Sequence, residues 1–431
     1  MTVSVDVEGP KTGPSTNSVT GDVSVPKGCL TGTHRAVDPA ETLRKITPHL
    51  ARMGITRVAN ITGLDRVGIP VVAVYRPNAR SVAVSQGKGF DLVAAQVSGL
   101  MEAIESYHAE HVKLPLRLAS HTELCADAPV LDVSRLPRLS VSGFHGQKQM
   151  LWCEAVDLMA DHPIWIPYEM VHTNYTRPLP TGSGNFQMSS NGLASGNHRL
   201  EAISHGICEV VERDAMSLWN LAGGTGNPVG RVDPASVIDP LCRHVLDHLL
   251  AAEISVGIWD VTSDVGIASF ACAIVDTKPN HIGQFYSSHG SGTHPCAEIA
   301  LLRALTEAAQ TRLTYIAGAR DDANRELFET ARNPDRIAEV QRHLDNVDPA
   351  GFKAFGETGS YLSESLEEDL AYELECLKSV GIEEVAAVSL GGEDLGISVM
   401  RVIIPGLEGL HDAPGYIPGE RARIRMEDMR Q

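Results

Sequence analysis

Three times along this chain a glycine-rich stretch feeds a long helix, in the first and third cases after a β-rich run, and this recurrence constrains the fold more than any other feature. The first unit reads "SVAV", "SQGKG" and "FDLVAAQVSGLMEAIESYHAE". The second is "TGSGNFQMSSNGLASGN" leading into "EAISHGICEVVERDA", and the third is "IGQFYSSHGSGTHP" leading into "CAEIALLRALTEAAQTRL". Pro295 is well placed to start the third helix. The glycine-rich stretches read as loops. A loop of exposed N–H groups feeding a helix suits anions, because first-turn N–H groups are unpaired and the macrodipole is positive there. The units share no residue-by-residue repeat, so what they have in common is architecture.

Each of the three helices carries a narrow polar stripe. At roughly 100° per residue, Glu201, His205, Glu209 and Glu212 fall at about 0°, 40°, 80° and 20°, with Ile203, Ile207, Val210, Val211 and Leu218 on the far side. Ser98, Glu102 and Glu105 lie at about 0°, 40° and −20°, and so do Arg303, Glu307 and Gln310. Like charges three or four residues apart cost roughly 0.2–0.5 kcal/mol per pair, yet no Lys interrupts the stripe from Glu201 to Glu212. Read singly, each stripe is a solvated helix face. Read together, they offer six glutamates against few cations: Arg303, Arg213 at the edge of the second stripe, and Lys88 in the first glycine-rich stretch. Carboxylates without Lys neighbours suit hard divalent cations, and Mg²⁺ in particular is held by a few carboxylates plus substrate phosphates. The missing counter-charge then arrives with a ligand, and the three stripes are expected to surround one pocket. Lys88 in "QGKG" lacks the GxxxxGK[ST] frame. His205 reads as a polar spacer, and a metal site joining it to His289 and His294 would match no established zinc pattern.

The chain has 431 residues, 43% hydrophobic and 21% charged, which is ordinary for a soluble globular protein with a sizeable core. No apolar run reaches the roughly 18 residues of a membrane span. A formal charge of −18 argues against a nucleic-acid partner and leaves any anionic ligand to local groups. The eight cysteines are scattered without a CxxC pair, so they are expected reduced and mostly buried. The start lacks the basic and apolar regions of a secretory signal, and its Ser, Thr, Gly and Pro content predicts a disordered tail over residues 1–27. One domain over 28–431 and a cytoplasmic location are expected. "TLRKITPHLARMG" predicts a helix, "TRVANITG" and "IPVVAVYRP" predict strands, and later helices ("RELFETARNPDRIAEVQRHLD", "ESLEEDLAYELECLKSVG") alternate with "EVAAVSL" and "ISVMRVIIP". The expected class is α/β (mixed α+β), with β-sheets covered by helices.

The stretches "TGLDRVGIPVVAVYRPNARSVAVSQGKG", "AAQVSGLMEAIESYHAE", "SNGLASGNHRLEAISHGICEVVERDA" and "HPCAEIALLRALTEAAQTR" resemble the YcaO family, in the right order from about Gly32 to Arg312. The resemblance implies the YcaO-type ATP-binding fold, with sheets and helices around one nucleotide site, commonly dimeric, and ATP and Mg²⁺ as cofactors. It implies nucleotide-binding positions at Lys88, Ser98, Ser195, Glu201, Arg213 and Arg303, and metal positions at Glu102, Glu105, Glu209, Glu212 and Glu307. There are two departures from the family's pattern. The first motif often ends Glu-Arg, but here it reads Glu105-Ser106, so a cation at that end of the site is expected to be missing. Many azoline-forming relatives finish in a proline-rich tail, whereas this chain ends "GERARIRMEDMRQ" with Pro418 its last proline, which counts against ordinary azoline formation.

The activity implied is ATP-dependent activation of a backbone amide in a ribosomally made precursor peptide. A nucleophile adds to the amide carbonyl carbon, the resulting oxyanion takes the γ-phosphoryl group of ATP, and phosphate departs with the oxygen. Such transfer needs positioning and charge neutralisation more than covalent help; no general base is assigned. Sulfide as nucleophile gives a thioamide, a Cys, Ser or Thr side chain an azoline, and an amine a macrocyclic amidine. The chain resembles stand-alone members, including those paired with TfuA-type proteins, and shows no fused leader-binding domain. Thioamidation is the leading expectation and cyclodehydration to a macrolactamidine or azoline the alternative. A non-catalytic ATP-binding accessory factor in sulfur delivery is the reading from a different class. Expected partners are the precursor peptide, a TfuA-type protein and a second copy of the chain.

Overall fold

The computed structural model describes residues 24–278, 285–323, 325–345 and 349–429. Helix α1 (Pro39–Ile46), capped by the Asp38 side chain, runs into a 3₁₀ turn at Thr47–Met53. Strands β1 (Arg57–Asn60), β2 (Val71–Tyr75) and β3 (Val84–Lys88) form an antiparallel sheet in that order and lead to α2 (Leu92–Glu110). The chain continues through β4 (Leu116–Ser120), α3 (His121–Asp127), β5 (Gln149–Asp157), β6 (His162–Pro167) and β7 (Leu193–Gly196) into α4 (Arg199–Leu221). Next come β8 (Arg231–Val232), α5 (Pro240–Ala251), β9 (Ile254–Asp260), β10 (Ser269–Asp276), β11 (Ser287–Thr293) and α6 (Ala297–Ala317). The last part holds α7 (Arg325–Ala331), α8 (Pro334–Asp345), α9 (Leu366–Ser379), β12 (Ala386–Gly391), β13 (Ser398–Ile403) and α10 (Glu420–Asp428). A second sheet has the order β4-β5-β12-β13-β7 with β6 also on β5, and a third the order β11-β10-β9-β8. The mixed α/β class expected from the sequence is the class observed.

The glycine-rich stretches are only partly the loops that their composition predicts. Residues 181–192 are a loop, with Gly182, Gly184 and Gly192 at positive φ, but "SQGK" lies inside β3, "LASG" is β7 and "SHGSGT" lies inside β11. The glycines of these strands serve contact rather than turning. A Cβ on Gly87 would lie 2.0 Å from the Gly99 nitrogen and 2.2 Å from the Ala95 oxygen of α2. One on Gly290 would lie 2.3 Å from both the Ala304 oxygen and the Ala308 nitrogen of α6. Without side chains there, each strand lies on its following helix at backbone distance, a recognised use of glycine in strands. Each helix then reaches the strand of another unit as well. Helix α2 packs on β3 and touches β7, α4 packs on β7 and touches β11, and α6 packs on β11 and touches β3. Three units that follow one another in sequence thereby close into a ring.

Ile203, Ile207, Val210 and Val211 on the far side of α4 are buried against Leu366 and Leu370 of α9 and Met400 and Val402 of β13. The polar stripe of α4 is consequently turned inward to the ring, not to solvent. The first turns of α2 and α4 are met by their own caps: the Asp91 side chain accepts from the Ala94 N–H and His198 from the Leu200 N–H. At α2 and α4, then, side chains rather than bare helix ends face a ligand.

Two further expectations change. "RELFETARNPDRIAEVQRHLD" is broken into α7 and α8, because Pro334 has no N–H and Asn333 caps the new helix, accepting from the Asp335 and Arg336 N–H groups. The tail expected to run to Lys27 is ordered before that point. The Val25 N–H donates to Glu367 at the start of α9, and Lys27 Nζ lies 2.7 Å from Asp369 with both side chains buried. Residues 1–23 lie outside the described residues. All eight cysteines are free, and six are buried. Among the described residues no helix is long and apolar enough to cross a membrane.

Candidate functional site

The ring encloses a cavity of about 680 Å³, and every site residue expected from the sequence lines it: Lys88, Ser98, Glu102, Glu105, Ser195, Glu201, Glu209, Glu212, Arg213, Arg303 and Glu307. They come from β3, α2, β7, α4 and α6, brought together by the strand–helix contacts described above.

A polar contact joins each helix to the strand of another unit. Ser195 Oγ of β7 donates to Glu105 of α2 at 2.6 Å. Ser291 Oγ of β11 donates to Glu212 of α4 at 2.8 Å. Lys88 Nζ of β3 donates to Glu307 of α6. The Ser291 N–H donates to Glu307 at 3.2 Å, with the Oγ 3.3 Å from the same carboxylate, so one serine connects the second and third stripes. Arg213 stands 4.0 Å from Glu209 and 3.8 Å from Glu212. Arg303 Nη1 donates to His205 Nε2 at 3.0 Å. Burial, with Arg303 and Arg35 nearby, holds the imidazole pKa well below its ordinary value, so His205 is neutral and accepts. The expected spacer thus orients a cation.

Glu201 has a different setting. Its carboxylate accepts from the Ala36 N–H at 2.8 Å, the Asn197 N–H at 3.2 Å and Arg35 at 3.3 Å. It lines the cavity while tying the Arg35–Ala36 segment to α4.

The electrostatics divide the glutamates. Burial pushes Glu105 up to about 8, against the Ser195 hydrogen bond and with Glu209 adding to the rise. Burial likewise pushes Glu209 up to about 7, Arg213 opposing. Glu102 is raised by burial against the fields of Arg320 and Lys88. Glu307 goes the other way: burial acts upward, but Lys88 and Arg213 prevail and hold it well below the usual carboxylate range. Burial that raises these carboxyls disfavours their anions, and a cation brought among them offsets that cost.

The donor set fits Mg²⁺ carried in with phosphates. Among the described residues no three His, Cys, Asp or Glu side chains gather closely enough to cage a metal ion alone, and Mg²⁺ is usually bound by one or two carboxylates plus phosphate oxygens and water. Glu212 Oε2 and Arg303 Nε are buried without a partner. Buried polar atoms are nearly always paired, so both stand out among the residues around the cavity. The three histidines do not assemble: His205 pairs with Arg303, the His294 ring accepts from the Cys296 N–H at 2.9 Å, and His289 is exposed.

Other residues of the site and its surroundings escaped the sequence reading. The cation expected to be missing beyond Glu105 is replaced from elsewhere in the chain, since Arg320 faces Glu102 and the field of Arg35 reaches Glu105. Neither lies on a stripe, so no helical period pointed to them. Ser291 was hidden in a stretch read as loop. Only the strand, with alternate residues facing the helix, gives it a direction.

The sequence pattern of the YcaO family, described as cyclodehydratase and ATP- and Mg²⁺-binding, matches residues 86–408. A protein from the tfuA 3′ region of Rhizobium leguminosarum bv. trifolii is 36% identical over 383 residues, covering 87% of this chain and 88% of its own. One from Methanothermobacter thermautotrophicus is 36% identical over 391 residues, covering 90% and 98%. Two solved structures share the fold. A heterocyclase in complex with substrate and cofactor gives a TM-score of 0.77 at 21% identity over 96% of this chain, which spans 57% of that one. YcaO from Methanopyrus kandleri bound with AMPPCP and Mg²⁺ gives 0.68 at 22% identity, covering 92% and 99%. The chain belongs to the YcaO family. Its cofactors are ATP and Mg²⁺.

Proposed function

We propose that this cavity holds ATP with Mg²⁺ to activate a backbone amide of a ribosomally made peptide, and that the product is a thioamide. The observation that carries the reading is the convergence of Glu102, Glu105, Glu209, Glu212 and Glu307 with Lys88, Arg213 and Arg303 on one cavity. Bound there, ATP and Mg²⁺ supply the phosphoryl group that lets the amide oxygen leave as phosphate. The glutamates hold the metal. Arg303, oriented by His205, and Arg213 face the phosphates, and Lys88 is shared between them and Glu307. Ser98 and Ser195 set the polar lining, and Glu201 secures the segment that carries Arg35. Burial of these groups raises the worth of each charge contact, because the local dielectric is low.

Thioamidation draws its support from the relative in the tfuA 3′ region, and a TfuA-type partner, a homodimer and a cytoplasmic location belong to the same reading. The family's description as cyclodehydratase favours ring closure as the second reading. Mass spectrometry of a precursor peptide co-expressed with the protein separates them. A gain equal to sulfur replacing oxygen is expected. Loss of one water would make the protein a cyclodehydratase, and an unchanged peptide mass would leave only the accessory role in sulfur delivery.

A further inference from the structure

Glu307, which the proposed function gives to the metal, holds a cation of the chain's own in the free protein. Its Oε2 accepts from Lys88 Nζ, and its Oε1 accepts from the Ser291 N–H at 3.2 Å. Both oxygens are therefore in use. Neither side chain of the ion pair is sealed away: Lys88 and Glu307 line the cavity and are 17% and 27% exposed. The lysine backbone is fixed, since Lys88 ends β3 opposite Val71 of β2 and its N–H lies 3.4 Å from Ser98 Oγ. Its long, flexible stem can still swing. Nor is the pair needed as a strut between β3 and α6. Those elements also meet at Gln86, whose side chain accepts from Thr314 Oγ1 and whose carbonyl oxygen accepts from Gln310 Nε2 at 3.3 Å.

We infer that Lys88 stands in for the metal in the free protein, and that its release makes Mg²⁺ and the nucleotide bind cooperatively. The inference rests on the site roles proposed above and adds to them a regulation of the same site. Glu307 cannot give Oε2 to Mg²⁺ while an ammonium bonds that atom, because two cations on one oxygen repel at short range. Lys88 must leave, and a charge-assisted hydrogen bond is lost with it. With Mg²⁺ alone, the released ammonium faces a cavity that has only gained positive charge. With nucleotide present, a phosphate oxygen receives Lys88, and the bond given up at Glu307 is made again. Metal alone is resisted; metal with phosphates is accepted. Ser291 keeps Glu307 in place during the exchange, since it holds the other oxygen.

The test uses the full chain with Lys88→Met, which keeps a long stem and removes the charge, and Lys88→Gln, which also keeps a donor for Glu307. Mg²⁺ is titrated into each by calorimetry without nucleotide. Both variants should bind it at least about tenfold more tightly than wild type, because no charge-assisted hydrogen bond has to be broken. In EDTA, Lys88→Met should melt below wild type, since Glu307 has lost its cation, and Mg²⁺ alone should narrow the gap. No gain in Mg²⁺ affinity in the variants overturns the inference. A gap in melting temperature that is the same with and without Mg²⁺ overturns it too, because that is how a static strut behaves. If wild type binds no Mg²⁺–AMPPCP, the roles proposed for the glutamates fail and this inference fails with them. Wild type that binds Mg²⁺–AMPPCP, beside variants without the gain, sinks this one alone.

Discussion

Glu209 stands 4.0 Å from Arg213, yet burial still raises its pKa to about 7 from an ordinary 4.5. A carboxyl whose folded pKa is raised stabilises the free protein fully below the unfolded value, and that contribution is lost as pH climbs through the folded one. The free protein should therefore lose thermal stability as pH rises from about 4.5 through about 7. Glu209→Gln keeps the shape, removes the titration, and should flatten this part of the melting curve against pH. At pH 8 its melting temperature should equal or exceed that of wild type, while peptide modification should collapse with the loss of a carboxylate proposed to hold the metal. Full activity with a raised melting temperature would return Glu209 to a merely electrostatic nuisance. Arg303 offers the complementary test. Its Nε is buried without a partner and its Nη1 is steered by His205. A charge-assisted contact to phosphate is worth about 1.5–3 kcal/mol, so Arg303→Ala should raise the Kd of Mg²⁺–AMPPCP roughly ten- to a hundredfold by calorimetry. Equal affinity in mutant and wild type would remove Arg303 from the phosphate site.

The strand–helix pairs explain why glycine is frequent where the chain is not turning. In β11, Gly290 and Gly292 face α6 so closely that a methyl group would overlap helix backbone, 2.3 Å from the Ala304 oxygen at the first and 2.2 Å from the Ala300 oxygen at the second. Backbone cannot swing aside as a long side chain can. Gly290→Ala should accordingly cost at least about 2 kcal/mol by denaturant melting, the scale of overpacked interiors. Gly359→Ala, where nothing lies within 4 Å, should be close to neutral. Equal stability of the two variants would show that β11 and α6 can part without loss. The same displacement would separate Ser291 from Glu212 and Glu307, so Gly290→Ala is also expected to impair nucleotide binding.

Closing the ring places residues from Lys88 to Glu307 around one cavity, so a Mg²⁺–nucleotide held as proposed would bridge all three units at once. A ligand that binds only the folded chain stabilises it by about 2.7 kcal/mol at a hundredfold excess over Kd. With an unfolding entropy of about 2.1 cal/mol/K per residue, that corresponds to about 3 °C in a folded unit of this size. Mg²⁺ with AMPPCP should raise the melting temperature by that order, and EDTA should abolish the rise. A rise that persists in EDTA would mean that the nucleotide is held without the metal. The N-terminal segment takes part in the closure too. Lys27 is paired with Asp369 of α9, and Ala36 is held by Glu201 of α4, so Gly32, Thr33 and Arg35 are drawn onto the cavity wall.

Helical period is local, and so the stripes of α2, α4 and α6, their apolar backs and the ligand residue types could be read directly from spacing. The same locality made Pro334 and Asn333 available as a break, though the apolar pattern on either side concealed it. Other features had no local signature. Whether "SHGSGT" is loop or strand depends on the helix that it packs against. That His205 orients Arg303, that Ser291 spans Glu212 and Glu307, and that Arg35 and Arg320 serve the Glu105 end of the site follow from contacts between residues far apart in the chain. Such contacts are set by how closely backbone meets backbone at Gly87, Gly196, Gly290 and Gly292. A sequence specifies that approach only through the packing of the entire ring, since a glycine is equally at home in a turn and under a helix.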